Sequence, residues 1–258
     1  MKQFMTIMRK EFLEYWRNFS WIWVPVVFIF LSIMDPLTTY YMPIILDSVG
    51  GLPEGAVFEI PELPAPEVLM MSLSEISMFG VLIIILLTMG TIAGERKSGI
   101  AELVLVKPVK YPIYITAKWL AKIKLFLTAF IIGMLVSWYY VNLLFDTIPF
   151  TDWLLTVIFY SFWLVFVVSL TIFYSTLLKN PGLVAAVSVG TLIGMSIINS
   201  IFSHHLTWFP NSLSSHILEL HKSGSIPSEL WGTAFVTIVL SIGLLFLSFF
   251  TFQKKELA

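Results

Sequence analysis

The chain has 258 residues, is 58% hydrophobic with a mean hydropathy of +0.90, and only 12% of it is charged. A soluble domain of that length needs far more charged surface, so a water-soluble enzyme is excluded and no nucleic-acid partner is expected. The net charge is −1 and there is no cysteine, which removes disulfides and thiolate metal sites from consideration.

Residues 1–18 predict an amphipathic helix. Phe4, Met8, Phe12, Tyr15 and Trp16 share one face, and Lys2, Thr6, Arg9, Lys10 and Arg17 fall mostly on the other. Such a helix suits the membrane interface. The basic start runs into a long apolar stretch with no small-x-small cleavage pattern, so it reads as a retained anchor. The first predicted span is about 19–42. It carries Asp35-Pro36 in its second half, where a kink or an end near Met34 is expected. Asp35 is a candidate pathway residue, because a carboxylate in hydrocarbon is costly, or else a group at headgroup depth. Residues 47–70 hold five acidic residues, four prolines and no base, and read as an extracytoplasmic loop. The second span is about 70–93 and ends in Gly90-Thr-Ile-Ala-Gly94, a small-xxx-small spacing that permits close helix packing.

Residues 94–118 form a basic loop with Arg96, Lys97, Lys107, Lys110 and Lys118. Ser98 is the expected N-cap of a short helix over Gly99–Val106, with Glu102 near its positive end. Pro108 stops that helix, and Tyr111-Pro112 restarts one. The predicted shape is a helix–break–helix elbow, basic outside and apolar inside at Ile100, Leu103 and Val104. The third span is about 119–145. The apolar pattern begins earlier, at Pro112, and as a continuous helix it would be ~51 Å long against ~30 Å of hydrocarbon. Its first turns, with Lys118, Lys122 and Lys124, are therefore expected at or below the interface, and Trp138, Tyr139 and Tyr140 at the opposite one.

The fourth and fifth spans are about 153–178 and 183–202, joined by Lys179-Asn180-Pro181-Gly182. The fifth holds Ser188, Gly190, Gly194, Ser196 and Asn199, which suit either bundle packing or a polar path; Asn199 is the second pathway candidate. Residues 203–230 contain all four histidines (His204, His205, His216, His221) and read as an extracytoplasmic hairpin. No HExxH is present, and adjacent histidines point apart on a helix, so no metal site is expected. The sixth span is about 231–252 and ends in Lys254-Lys255.

With six spans and the N-terminus inside, Lys222 alone among the 15 lysines and arginines falls on the outer side. That asymmetry predicts an all-α polytopic protein of the cell membrane with both termini cytoplasmic. The sequence contains no GxxxxGK[ST], so this chain is expected to bind no ATP by that route. An ion-coupled secondary transporter would need deeper buried charge than Asp35 supplies, or an inverted repeat, and none is evident. A membrane scaffold or a membrane-embedded enzyme is the other alternative.

The order of residues in the loop narrows the choice. Glu95-Arg96, Gly99-Ile100, Glu102-Leu103, Lys107-Pro108 and Lys110 resemble the cytosolic loop between spans two and three of ABC transporter permeases of the type-2 exporter class. The usual pattern has Gly-Thr at Gly99-Ile100 and often arginine at Lys110. The resemblance covers the whole chain: interfacial helix, six spans, elbow and outer hairpin. It implies a permease subunit whose elbow forms a coupling helix docked on a separate ABC ATPase subunit. It further implies a second copy, or a related permease, completing the path through the bilayer, and ATP held by the partner subunit as the only cofactor.

Overall fold

The computed structural model describes residues 2–48, 63–99 and 110–256. Among them there are helices and turns but no strand. Six helical stretches are long and apolar enough to cross a membrane: Ser20–Leu46, Ala65–Lys97, Tyr111–Leu144, Phe150–Leu177, Pro181–Phe202 and Ser228–Lys254. The chain is an all-α, six-span protein with a helix in front of the first span.

Helix α1 (Lys2–Arg17) buries Met8, Glu11 and Tyr15, while Phe4 and Phe12 lean against the core. Trp16 departs from the expected face and is exposed. The 4–8–11–15 register puts the packed stripe one position away from it. A sharp turn follows, with Phe19 in the left-handed region at φ 59° and Asn18 Oδ1 accepting from the backbone and hydroxyl of Ser20. Helix α2 (Ser20–Ser48) then runs through Pro25, Pro36 and Pro43 without ending near Met34. Lipid-facing helices tolerate proline where neighbouring groups satisfy the freed carbonyls.

The second span is segmented. It consists of α3 (Ala65–Glu75), a π turn (Ile76–Gly80), α4 (Val81–Thr88), a non-helical turn at 89–92, and the short α5 (Ala93–Lys97). It therefore starts five residues before the expected boundary. Helix α6 (Tyr111–Leu144) is one continuous 34-residue element, opened by Pro112 in its first turn. Helix α7 (Phe150–Leu177) and α8 (Pro181–Phe202) follow, the latter capped by Asn180 Oδ1 accepting from Gly182 N at 3.0 Å. A 3-10 turn (Pro210–Ser212), α9 (Leu213–Ser223) and α10 (Ser228–Glu256) complete the chain. Gly224, at φ 68°, ends α9 in the left-handed cap that glycine favours.

Helices α6 and α7 form the centre. The broadest contacts are α2 on α6 and α10 on α7. The tightest crossing is at Gly133, where a Cβ would lie 2.9 Å from Phe28 O and 2.8 Å from Ser32 Oγ. Gly90, Gly94, Gly190 and Gly194 have open space where a Cβ would go, so neither small-xxx-small pair packs within this chain. Buried hydroxyls link the helices: Ser137 Oγ donates to Ser72 Oγ, and Ser72 Oγ donates to Ser32 O, each at 2.8 Å. Helix α8 stands apart. Only 11% of its apolar window is buried, against 72% for α7.

Candidate functional site

The strongest concentration of charge lies where α1, α5 and the start of α6 meet. Lys118 of α6 has 3% side-chain exposure and donates to Glu11 Oε1 at 2.7 Å and to Glu95 Oε1 at 2.9 Å. Lys10 of α1 reaches the same Glu95 oxygen at 2.7 Å. Tyr114 donates its hydroxyl to Glu95, and Tyr15 donates to Glu11 Oε2 at 3.4 Å. Two carboxylates and two ammonium groups from three separate elements thus form one network. Buried ions persist only when paired and hydrogen-bonded in this way.

The electrostatics outside the spans follow from that geometry. Burial works against the charge of Lys10, but the Glu95 carboxylate outweighs it and holds the lysine pKa above its ordinary value. Burial first, and then the Glu11 charge, push the Tyr15 phenol far up, so it stays a hydrogen-bond donor. Lys122, one turn along α6, places its ammonium 4.7 Å from the centre of the Tyr15 ring. Lys124 sits 5.5 Å from the Phe12 ring. Lys118 and Lys122 are both buried within the bundle. Helix α1 covers them, and its carboxylate and aromatic rings supply what water would have supplied.

The turn at 89–92 is tied to the same node. It frees backbone groups that a continuous helix would pair, and side chains from two other spans take them up. Lys122 Nζ donates to Leu87 O at 2.8 Å. Ser175 Oγ of α7 accepts from Ile92 N at 3.1 Å and Ala93 N at 2.9 Å, and donates to Met89 O at 3.1 Å. Helix α5 is consequently a separate short segment, held by α1 and α6 on one side and by α7 on the other. Arg96 donates to Thr176 O at 3.0 Å and lies 5.8 Å from the Phe252 ring.

The expected elbow residues divide into two groups. Glu95 and Arg96 turn inward, into the contacts just described. Gly99 has φ +74° and closes α5, and Lys110 is an exposed residue immediately before α6. Ile100, Glu102, Leu103, Lys107 and Pro108 lie outside the described residues. The N-cap expected at Ser98 is instead a C-cap: its hydroxyl donates to Gly94 O and Glu95 O. A left-handed Gly99 cannot be the first turn of a right-handed helix, so Ser98 is not an N-cap, and the rest of the helix expected over Gly99–Val106 lies outside the described residues.

Of the pathway candidates, Asp35 is half-buried on α2, with no salt bridge among the described residues and Glu75 as its electrostatic neighbour. Asn199 Oδ1 accepts from Ser212 Oγ at 2.9 Å, tying α8 to the 3-10 turn. The histidines are engaged separately. His216 Nε2 lies 2.8 Å from Thr207 O and His221 Nε2 lies 2.9 Å from Thr156 Oγ1, while His204 and His205 are exposed. Burial lowers the His221 pKa from its ordinary value, against an opposing pull from Asp152.

Glu11 is the member of the network that sequence reasoning missed. Its signal was present: it sits three residues after Met8 and four before Tyr15, in the middle of the apolar stripe. A carboxylate in that register must find a buried cation.

Comparison with known proteins agrees with this architecture. Residues 5–257 match a family described as ABC-2 family transporter protein. An uncharacterized transmembrane protein of Bacillus subtilis (strain 168), YxlG, is 32% identical over 221 residues, covering 84% of this chain and 86% of its relative.

Proposed function

The chain belongs to the ABC-2 family of transporter proteins, and from that membership we propose that it is the permease subunit of an ATP-driven exporter. In this reading two copies, or one copy and a related permease, enclose a path across the cell membrane. Separate ATPase subunits dock on residues 100–109. ATP is bound and hydrolysed there, since no GxxxxGK[ST] occurs in this sequence. Both termini face the cytoplasm, as the lysine and arginine asymmetry requires.

One observation carries the coupling part of the proposal. The buried Lys118–Glu11–Glu95 network ties α1 to both flanks of residues 100–109. A push on that segment is therefore delivered to α1, α5 and α6 as a unit. The turn at 89–92 is the place where α5 can swing relative to α4. Gly190 and Gly194, with no neighbour in this chain, give the second copy a face on which to approach.

The test is co-purification of the ATPase with the intact chain, together with cargo-stimulated ATP turnover in membranes. A docking segment depends mainly on its apolar face, because burying a leucine or valine contributes roughly 1.5–3 kcal/mol while an exposed charge pair contributes under ~1. Leu103→Asp is expected to lose the ATPase. Lys107→Gln is expected to keep it, with a deficit that grows at raised salt. Wild-type coupling in Leu103→Asp would rule out docking through this segment.

A further inference from the structure

The outward side of α1 carries two faces of different chemistry. With ~3.6 residues per turn, Phe12, Met5, Trp16, Arg9 and Leu13 fall in that order across an arc of ~100°. Met5, Leu13 and Trp16 are 67%, 49% and 66% exposed, and Phe12 stands at the edge where the arc meets the core. Beyond the arc come Thr6, Arg17, Gln3 and Glu14, a polar face suited to water. The apolar arc is the side suited to a membrane, and it has an arginine in it.

Lys124 ties that arc to the lipid-facing side of the bundle. On α6 it heads the stripe Lys124, Thr128, Ile131, Leu135, spaced by three or four residues. Ile131 and Leu135 are exposed apolar positions of a span, so the stripe faces acyl chains. Lys124 is itself exposed and lies ~10 Å from Ile131 towards the Lys118 end, where a lysine stem can lie on apolar surface and its ammonium reach the headgroups. That ammonium is 5.5 Å from the Phe12 ring, and the Phe12 ring tilts against Trp21 at the start of α2. Arg9 is one turn before Phe12 on the same side of α1. Among the described residues neither Arg9 nor Lys124 makes a salt bridge, whereas Lys10 and Lys118 are both paired. Two cations without counter-ions, from two helices, thus stand beside one ring at the edge of the lipid face.

We propose that Arg9 and Lys124 bind the phosphate of an anionic phospholipid in the cytoplasmic leaflet, with Met5 and Trp16 lying against its acyl chains. The guanidinium offers a planar fork that matches phosphate oxygens, and the ammonium adds a point charge. A net negative lipid fits because both cations lack a partner; a zwitterionic headgroup brings its own ammonium, which competes for the same phosphate. A lipid fits better than a soluble anion because exposed apolar side chains adjoin both cations. Held to α1 through Arg9 and to α6 through Lys124, the lipid bridges the two helices from outside, as the Glu11–Lys118 pair does from within. Its leaflet follows from the inward N-terminus proposed above; the site itself depends on neither ATPase docking nor a second copy.

The experiment uses the intact chain in phosphatidylcholine nanodiscs and a phosphatidylglycerol probe carrying a diazirine on its acyl chain close to the glycerol. A phosphatidylcholine probe with the same chain is the match. The anionic probe is expected to label residues 5–16 and 124–131 saturably, and to be displaced by unlabelled phosphatidylglycerol. Arg9→Gln and Lys124→Gln should each weaken that labelling about fivefold, the effect of one basic residue near an anionic surface, and the double variant more than either. Lys124→Arg keeps the charge and should keep the labelling. Both positions are exposed, so these variants retain the core. Four results would overturn the proposal. One is equal labelling of these residues by the phosphatidylcholine probe. Another is an equal loss in Lys179→Gln, which removes the same charge from the exposed turn between α7 and α8 and would leave only a general charge effect. A third is displacement by inorganic phosphate at matched ionic strength, which would make the ligand a free anion. The fourth is labelling that vanishes as the chain self-associates or binds its ATPase, which would give the arc to a protein contact.

Discussion

Lys118 serves two carboxylates with one ammonium group, so its removal has an asymmetric effect. Lys118→Met leaves the buried Glu11 and Glu95 sharing only the half-exposed Lys10, at 3.7 Å and 2.7 Å. Stripping one partner from a buried ion network costs about 3–5 kcal/mol, whereas replacing the whole network by apolar residues is often neutral. Thermal unfolding in detergent should show Lys118→Met strongly destabilised and the triple change Glu11→Met, Glu95→Met, Lys118→Met restored towards wild type. Coupling to the ATPase should stay lost in the triple variant, because α1 and α5 no longer share a fixed register. If both stability and coupling returned together, the network would have no role beyond packing.

His221 gives a second prediction at this scale. Its folded pKa lies below the ordinary 6.5, with burial the larger cause. The unfolded chain therefore binds the proton more readily, and stability falls as pH falls. The contribution is complete above about pH 6.5 and is lost as pH drops through the lower folded value. Melting temperatures between pH 5 and pH 8 should decline on acidification in the wild type, and His221→Gln should flatten that part of the decline. An unchanged profile in the variant would assign the pH dependence to other groups.

Among the elements, α6 and α8 make opposite demands on their glycines. Gly133 of α6 faces the Phe28 carbonyl at a distance no Cβ can occupy. Gly133→Val forces α2 and α6 apart and should cost about 1–3 kcal/mol or more, seen as lower thermal stability. Gly190→Val and Gly194→Val meet nothing in this chain, so the monomer should melt as the wild type does. Cross-linking of two copies through α8 should drop in both if that face is the meeting surface. The contrast also shows where periodicity is informative. The six spans were legible because twenty or so apolar residues in a row have few other uses. Gly133 was not, because its neighbours in sequence carry no sign of how near another helix comes. Glu95 was legible from its place in the loop, but its direction was not: whether it faces the cytosol or the bundle is decided by Glu11 and Lys118, which lie far away in the chain.

For the whole molecule, orientation is open to direct measurement because the chain has no native cysteine. Lys179→Cys and Ser225→Cys stand at opposite ends of the bundle on exposed turns. An impermeant thiol reagent applied to intact cells should label Ser225→Cys and spare Lys179→Cys; the reverse pattern would invert the topology. The buried network, finally, has a direction in time. Both acids precede the base: Glu11 by 107 residues and Glu95 by 23. At about 5–20 residues per second of synthesis, Lys118 emerges roughly 1–5 s after Glu95. The ribosome therefore delivers the ammonium to a bilayer where its two counter-ions already wait. A nascent chain halted before residue 118 has only the half-exposed Lys10 to serve both carboxylates, so the contact between α1 and α5 is completed only when α6 is made.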